Sequence, residues 1–382
     1  MGKIGIFTYY NNYNYGSYLQ SYALTNKICS IGYDACIIDF KDTTKPWNKK
    51  FQRMTFLSRL FCSVRHPSLF FSVYKAKKVG RVSTVCNAEL KRKFDDFSSM
   101  YLNFYRGNYL DESFDAYIVG SDQVWKVTLP GLHYVLFLRF APKHKRISYA
   151  ASIGSDAIPS YNKAELKRYL LGFSSISVRE DETVKLFSNL DKRITPTFVL
   201  DPVLLVGSEF WVKQMTKIRN DDYVFFYFLD PIKDKSKILD QIKYKYPDSQ
   251  YLIVNNGNFF DNVDGCTLIN PSPLEFVSLI YSCKAVVTDS FHGTAFSVLF
   301  KKDFYTIPRN YQLYSGQKGR LFSLLRLVGC EDRYMDNASC VESVRPINAS
   351  LIDKKLSSMR VVSEEYLINS IVKSLNNDVQ NV

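Results

Sequence analysis

Five short stretches place acids, bases, hydroxyls and glycines directly after apolar runs: NYGS (14–17), GSDQVW (120–125), SIGS (152–155), REDET (179–183) and TDSFHG (288–293). In the last of these, Asp289 and Ser290 follow the run KAVV and precede GTAFSVLF, so either is a candidate helix N-cap. A helix that begins there presents unpaired N–H groups and about half a positive charge at its mouth. His292 adds a donor that becomes cationic under modest perturbation, and Gly293 leaves room for a ligand to approach the backbone. Such a mouth suits an anion, although the histidine could merely cap or bridge the turn. Arg179, in REDET, could clamp a carboxylate or phosphate bidentately, or pair with Glu180 or Asp181. Lys318 and Arg320, in GQKGRLFSLL, precede another apolar-periodic stretch, where they either add charge at a helix start or serve solubility.

The elements that must position these residues alternate in type. KIGIFTYY reads as a strand, SYLQSYALTNKICSIG as a helix ended by Gly32, and DACIIDF as a second strand. FDAYIVGS, RISYAAS and SSISVRE continue as strands, with helices over SYNKAELKRYLLGF and DETVKLFSNL. After LDPVLL a second alternating series begins, from YVFFYFLD through QYLIVNN and KAVVTDS to KDFYTIP. Alternation of this kind implies parallel sheets covered on both faces. The expected fold class is therefore α/β: two Rossmann-like, doubly wound domains facing a cleft, 1–205 and 206–382, in a chain long enough for two cores. Ligands of such sheets lie beyond the carboxyl ends of the strands, where all five polar stretches fall.

Charge is unevenly spread. The net charge is +13, and between Lys41 and Lys93 there are 14 Lys and Arg against two acids, Asp42 and Glu89, interleaved with aromatics in KPWNKKFQRMTFLSRLF. Such a segment could lie on an anionic membrane surface with Trp47, Phe51, Phe56 and Phe61 in the interface, bind nucleic acid, or pack as a solvated excursion. Nucleic acid is the least favoured of the three. The eight cysteines form no C-x-x-C pair and suit reduced packing residues, so a cytoplasmic protein is expected, peripheral at the inner face of the plasma membrane if the basic segment docks there. A G-x-G-x-x-G after the first strand, a P-loop, a G-x-S-x-G elbow and aspartates at i and i+2 are all absent, which disfavours dinucleotide, NTPase, elbow-hydrolase and DxD-metal chemistry.

NYGSYLQSYAL, FDAYIVGSDQVW, ISVREDETVKLF, VLDPVLL and VVTDSFHGTAFSVLF, in this order and spacing, resemble the polysaccharide pyruvyl transferase family from about residue 4 to about residue 335. The chain departs from the family pattern at Lys126, where Asn is common after GSDQVW, and in the loose GQKGRLFSLL. The resemblance implies a fold similar to the GT-B glycosyltransferases and phosphoenolpyruvate as donor. It also implies a hydroxyl pair of a glycan or lipid-linked saccharide as acceptor. No cofactor or metal beyond the donor is expected. On that basis the donor falls to Arg179, His292, Ser290, Gly293, Lys318 and Arg320, and the acceptor to Asn14, Tyr15, Ser121, Asp122 and Gln123. Catalysis falls to His292, to Asp289 as the group fixing its tautomer, and to Asp122 as base or anchor. A nucleotide-sugar glycosyltransferase and a non-catalytic glycan-binding protein are the competing expectations.

Overall fold

Strand β1 (Lys3–Phe7), helix α1 (Tyr15–Ser30) and strand β2 (Asp34–Ile38) form a βαβ unit with parallel strands, Ile4 opposite Ala35. Gly32, at φ +95°, turns the chain out of the helix in a conformation that glycine alone adopts without strain. The computed structural model describes residues 2–10, 13–67, 87–110, 114–215, 219–229, 236–254, 265–309, 318–335 and 340–379.

With β3 (Phe104–Tyr105), β4 (Ala116–Val119) and β5 (Arg146–Ser148) the first sheet has the order β3-β2-β1-β4-β5, parallel throughout. The second sheet repeats it. Its strands β8 (Tyr223–Tyr227), β9 (Gln250–Val254), β10 (Thr267–Ile269), β11 (Ala285–Thr288) and β12 (Asp303–Thr306) run β10-β9-β8-β11-β12, again parallel. The expected pair of Rossmann-like sheets is thus observed. In each the strand order reverses beside the first strand, so the ligand crevices lie beyond β1 and β4 in one half and beyond β8 and β11 in the other. A small parallel pair, β6 (Ser177–Val178) with β7 (Thr197–Phe198), extends the first half and ends at Arg179.

One apolar cluster runs from Phe7 through Tyr15, Phe94 and Trp211 to Phe276 and Phe296, so the halves share a core. Tyr15 stacks on Phe276 at 4.3 Å and donates to Pro271 O at 2.7 Å, joining the start of α1 to the second half. The last helix, Ala349–Val379, belongs to the second half by sequence but lays Leu367 and Ile371 on the outer face of the first sheet, where Tyr366 donates to Ser148 O.

Among its described residues the basic segment holds the helix Pro46–Arg65 and the start of the helix Ala88–Tyr101; residues 68–86 lie outside the described part. Proline at the first helical position starts Pro46–Arg65 without losing a needed N–H. Asn48, Phe51 and Thr55 form its inward stripe. Phe56 (63% exposed), Phe61 (66%) and Val64 (67%) face outward. The expectation that Trp47 and Phe51 also face a membrane is not met, because Phe51 stacks on Tyr134 and Trp47 packs against the core. Among the described residues no helix is long and apolar enough to cross a membrane.

Candidate active site

The turn after β11 is built by its own hydroxyls. Thr288 Oγ1 donates to Tyr227 O at 2.6 Å and accepts from Ser290 N, while Ser290 Oγ accepts from Gly293 N at 3.3 Å and so caps the helix Phe291–Leu299. That fixes His292 in the first turn of a helix aimed across the cleft. A side chain on Gly293 would lie 2.6 Å from Thr288 Oγ1, so the space beside this glycine belongs to the strand and not, as expected, to a ligand. Asp289 Oδ1 accepts from Leu229 N at 2.7 Å and ties β11 to the end of β8.

The first half answers with a second helix mouth. Asn14 caps α1 by accepting from Ser17 N, and Gly16 lies so close to the imidazole that a Cβ there would stand 1.9 Å from His292 Nδ1. His292 is buried, with Nε2 3.6 Å from Asp201 Oδ2. Asp201 is the carboxylate beside the imidazole, the place that the sequence reading gave to Asp289.

Asp201 Oδ2 is the meeting point of the site. It accepts from Arg179 Nη1 at 2.7 Å and from Ser121 Oγ at 2.8 Å, while Oδ1 accepts from Val203 N and caps the short helix Pro202–Leu205. Arg179 also donates through Nη2 to Asp122 Oδ1 at 3.1 Å and through Nε to Glu180 Oε1 at 3.3 Å, and its guanidinium lies 4.2 Å over the Phe291 ring. Asp122 Oδ2 accepts from Ser17 Oγ at 3.1 Å, and the Asp122 backbone sits at φ +67°, a left-handed conformation that aspartate tolerates better than most side chains. Four elements of the first half and one of the second are thereby held by one buried ion network.

Burial of so many charges is costly unless each is paired and hydrogen-bonded, and here the partners decide the sign at every group. At Asp201 burial pushes the carboxyl up, but His292 and Arg179 outweigh it and hold the group well below the usual carboxylate range. At Asp122 burial is again opposed, by Arg179, His292 and Arg320, and the pKa is lowered. At Glu180 burial wins over Arg179 and the pKa is raised. Arg179 is buried, yet Asp201, Asp122 and Glu180 strengthen its charge. Its nitrogens are spent on carboxylates, so Arg179 holds the two aspartates in place and does not present an open clamp for a donor.

Further cations lie beside this network. Arg320, in the first turn of Lys318–Val328, is held down to about 10 by burial and by Arg179. With the Gln123 amide oxygen turned toward it, that oxygen accepts from Arg320 Nη2 at 3.3 Å. Arg309, just past β12, and Lys126 are its electrostatic neighbours, and burial with Arg309 and Arg320 lowers the Lys126 pKa. Mutual repulsion among three cations is relieved by an arriving polyanion.

The structure therefore brings together Arg179, His292, Asp122, Ser121, Gln123, Arg320 and Ser290. It moves Tyr15 into the core between the halves, fully buried, and leaves Asn14 as a cap. The Lys318 side chain lies outside the described residues. Asp201, Ser17 and Arg309 were missed; the signals were the Asp-Pro of LDPVLL, the serine of NYGS and the strand end YTIPR.

The family description "Polysaccharide pyruvyl transferase" matches residues 14–311, from the cap of α1 past Arg309. The chain belongs to the polysaccharide pyruvyl transferase family. Every carboxylate and hydroxyl of the network lies inside the matched span of this transferase, and Arg320 lies beyond it. No curated protein matches the chain. Among solved structures it is similar to the glycotransferase of kitacinnamycin (TM-score 0.45, 11% identity, covering 100% of this chain and 98% of that one). It is also similar to the UDP-GlcNAc 2-epimerase from Neisseria meningitidis (0.44, 11%, 98% and 100%) and to MurG from Acinetobacter baumannii (0.40, 7%, 98% and 100%).

The contact between Gly16 and His292 yields a direct test. Gly16→Ala forces the α1 mouth away from the imidazole, and overpacking of this kind costs about 1–3 kcal/mol. The urea midpoint should fall accordingly; an unchanged midpoint would mean that the two helix mouths do not meet as described.

Proposed function

We propose that this transferase moves the pyruvyl unit of phosphoenolpyruvate onto a hydroxyl pair of a glycan as a ketal, with release of inorganic phosphate. The observation that carries the reading is the convergence of His292 and Asp122, one from each half, on an Arg179–Asp201 core flanked by Arg320, Arg309 and Lys126. A donor with a carboxylate and a phosphate needs several cations, and the chemistry needs one acid and one base.

In this reading Arg320, Arg309 and Lys126 hold the two anionic groups of the donor, with the N-terminus of Phe291–Leu299 beside the phosphate. A proton is delivered to the methylene carbon, which becomes a methyl group, and positive charge develops at the neighbouring carbon. His292, oriented by Asp201, is the acid assigned to that proton. One acceptor hydroxyl attacks the cationic carbon and gives its proton to Asp122. Departure of phosphate and attack by the second hydroxyl close the ketal, and the second hydroxyl proton leaves with the phosphate. Atoms and charge balance without a further cofactor.

Thermal shift measures the donor assignment. Phosphoenolpyruvate at about one hundred times its Kd should stabilise the protein by about 2.7 kcal/mol, and UDP- or GDP-sugars should not. His292→Ala and Arg320→Gln should each abolish phosphate release with acceptor, and Arg320→Gln should also abolish the shift. Stabilisation by a nucleotide sugar alone would replace this reading with glycosyl transfer.

The saccharide acceptor is proposed to be lipid-linked, which gives the helix Pro46–Arg65 a purpose. Phe56, Leu57, Leu60, Phe61 and Val64 are exposed on it, and Lys49, Lys50, Arg53 and Arg65 accompany them with no acid in the helix. The charge pattern fits an anionic bilayer, each base adding about 1 kcal/mol of attraction near the surface. The parent should sediment with vesicles rich in anionic lipid and stay in solution with zwitterionic ones, and Phe56→Asp/Phe61→Asp should remain soluble in both. A variant that sediments as the parent does would remove the membrane from the account.

A further inference from the structure

A second group of cations stands at the mouth of the first sheet. Lys41 follows β2 and places Nζ 4.7 Å over the Tyr9 ring and 5.7 Å over the Tyr10 ring, both just beyond the end of β1. Tyr10 in turn donates to Asp39 Oδ1 at 2.5 Å, which fixes this wall of aromatics. Arg59 stands one helical turn past Thr55, in line with the inward stripe of Pro46–Arg65. Thr55 Oγ1 accepts from Tyr134 N at 3.1 Å, and Gly131 fits so closely that a Cβ there would lie 2.6 Å from Arg59 Cα. Between those two contacts sits His133. Its Nδ1 accepts from Leu136 N at 3.4 Å, which leaves Nε2 as the protonated, donating nitrogen.

We propose that Lys41, Arg59 and His133 form an anion subsite around Tyr9 that receives a phosphate or diphosphate carried by the saccharide acceptor. The proposal rests on the transferase reading for what the acceptor is, but not for the anion site itself. Tyr9 is the link to the chemistry, because it lies within the fields of both Asp122 and Arg59. Lys41 lies over the same ring, so a sugar whose hydroxyls reach Asp122 carries a charged substituent into the neighbourhood of Arg59 and Lys41.

The local electrostatics agree with a site waiting for negative charge. Burial, with Arg59 and Lys41, holds the His133 imidazole down to about 4, so it is a neutral donor at pH 7. Burial lowers Lys41 to about 8 against the pull of Asp39. Burial and Asp122 push the Tyr9 phenol up to about 12, with Arg59 opposing. Among the described residues, Asp39, engaged with Tyr10, and Asp122, engaged with Arg179 and Ser17, are carboxylates whose fields reach this cluster. A dianion among these groups meets the positive charge of Lys41 and Arg59 and accepts from His133 Nε2.

Calorimetric titration of the full chain with inorganic pyrophosphate tests the subsite directly. The parent should bind two equivalents, one displaced by phosphoenolpyruvate and one not. Lys41→Met/Arg59→Gln, which keeps an apolar stem over the tyrosines and changes an exposed arginine, should weaken the second at least tenfold and leave the first unchanged. A single class of sites in the parent, or equal second-site affinity in the variant, would overturn the proposal. Failure of phosphoenolpyruvate to displace either equivalent would instead overturn the donor assignment alone. Turnover adds an independent reading with glucose, glucose 1-phosphate and a prenyl-diphosphate-linked glucose as acceptors. The double variant should lose at least tenfold in kcat/KM with one or both phosphorylated acceptors, which also shows whether the source is soluble or lipid-borne, and nothing with glucose. An equal loss with all three would count against the subsite.

Discussion

One carboxylate oxygen, Asp201 Oδ2, is approached by a guanidinium from the first half and an imidazole from the second, and the arrangement of the cleft follows from that sharing. A buried carboxylate without partners would take up a proton; with Arg179 and His292 beside it, it stays ionised. It then has a fixed charge with which to orient both neighbours. Arg179 passes the constraint on to Asp122, and Asp122 to Ser17 at the mouth of α1. The same helix mouth is pressed against His292 at Gly16, so the chain of contacts closes on itself. Buried ion networks contribute little net stability when complete and cost several kcal/mol when broken, which makes this one a device for geometry more than for stability.

The repeated strand order explains why the parts can meet at all. In each sheet the strand order reverses beside the first strand, and the polar turns after β4 and β11 are the segments that open at those reversals. Arg309 and Arg320 come from just past β12 and from the start of Lys318–Val328, while Tyr9, Lys41 and Asp122 come from just past β1, β2 and β4. The outward face of Pro46–Arg65 carries exposed aromatics, and the inward one holds Phe51 and Thr55 and leads to Arg59.

Much of this was legible where the physics is local. Alternating strands and helices gave the two α/β halves, and the cap at Ser290 with His292 in the next turn could be read from TDSFHG. Arg179 was singled out, and its pairing with Glu180 lies one residue away, but its bonds to Asp122 and Asp201 span 57 and 22 residues and have no sequence signature. Asp201 was hidden because Asp before Pro already has a sufficient explanation as a helix cap, a role it does fill through Oδ1. Tyr15 misled for the opposite reason: a tyrosine in a polar turn reads as a ligand contact, whereas here it stacks on Phe276 to join the halves. Gly293 was credited with room for a ligand that Thr288 already occupies.

The sharing of Asp201 is tested most directly by a double-mutant cycle between Arg179→Met and His292→Asn, read as unfolding free energy in urea, in the parent and in an Asp201→Asn background. Residues joined through a common partner should couple by about 0.5–3 kcal/mol, and the coupling should vanish when the shared carboxylate is gone. Additivity in the parent, or a coupling that survives Asp201→Asn undiminished, would contradict the account.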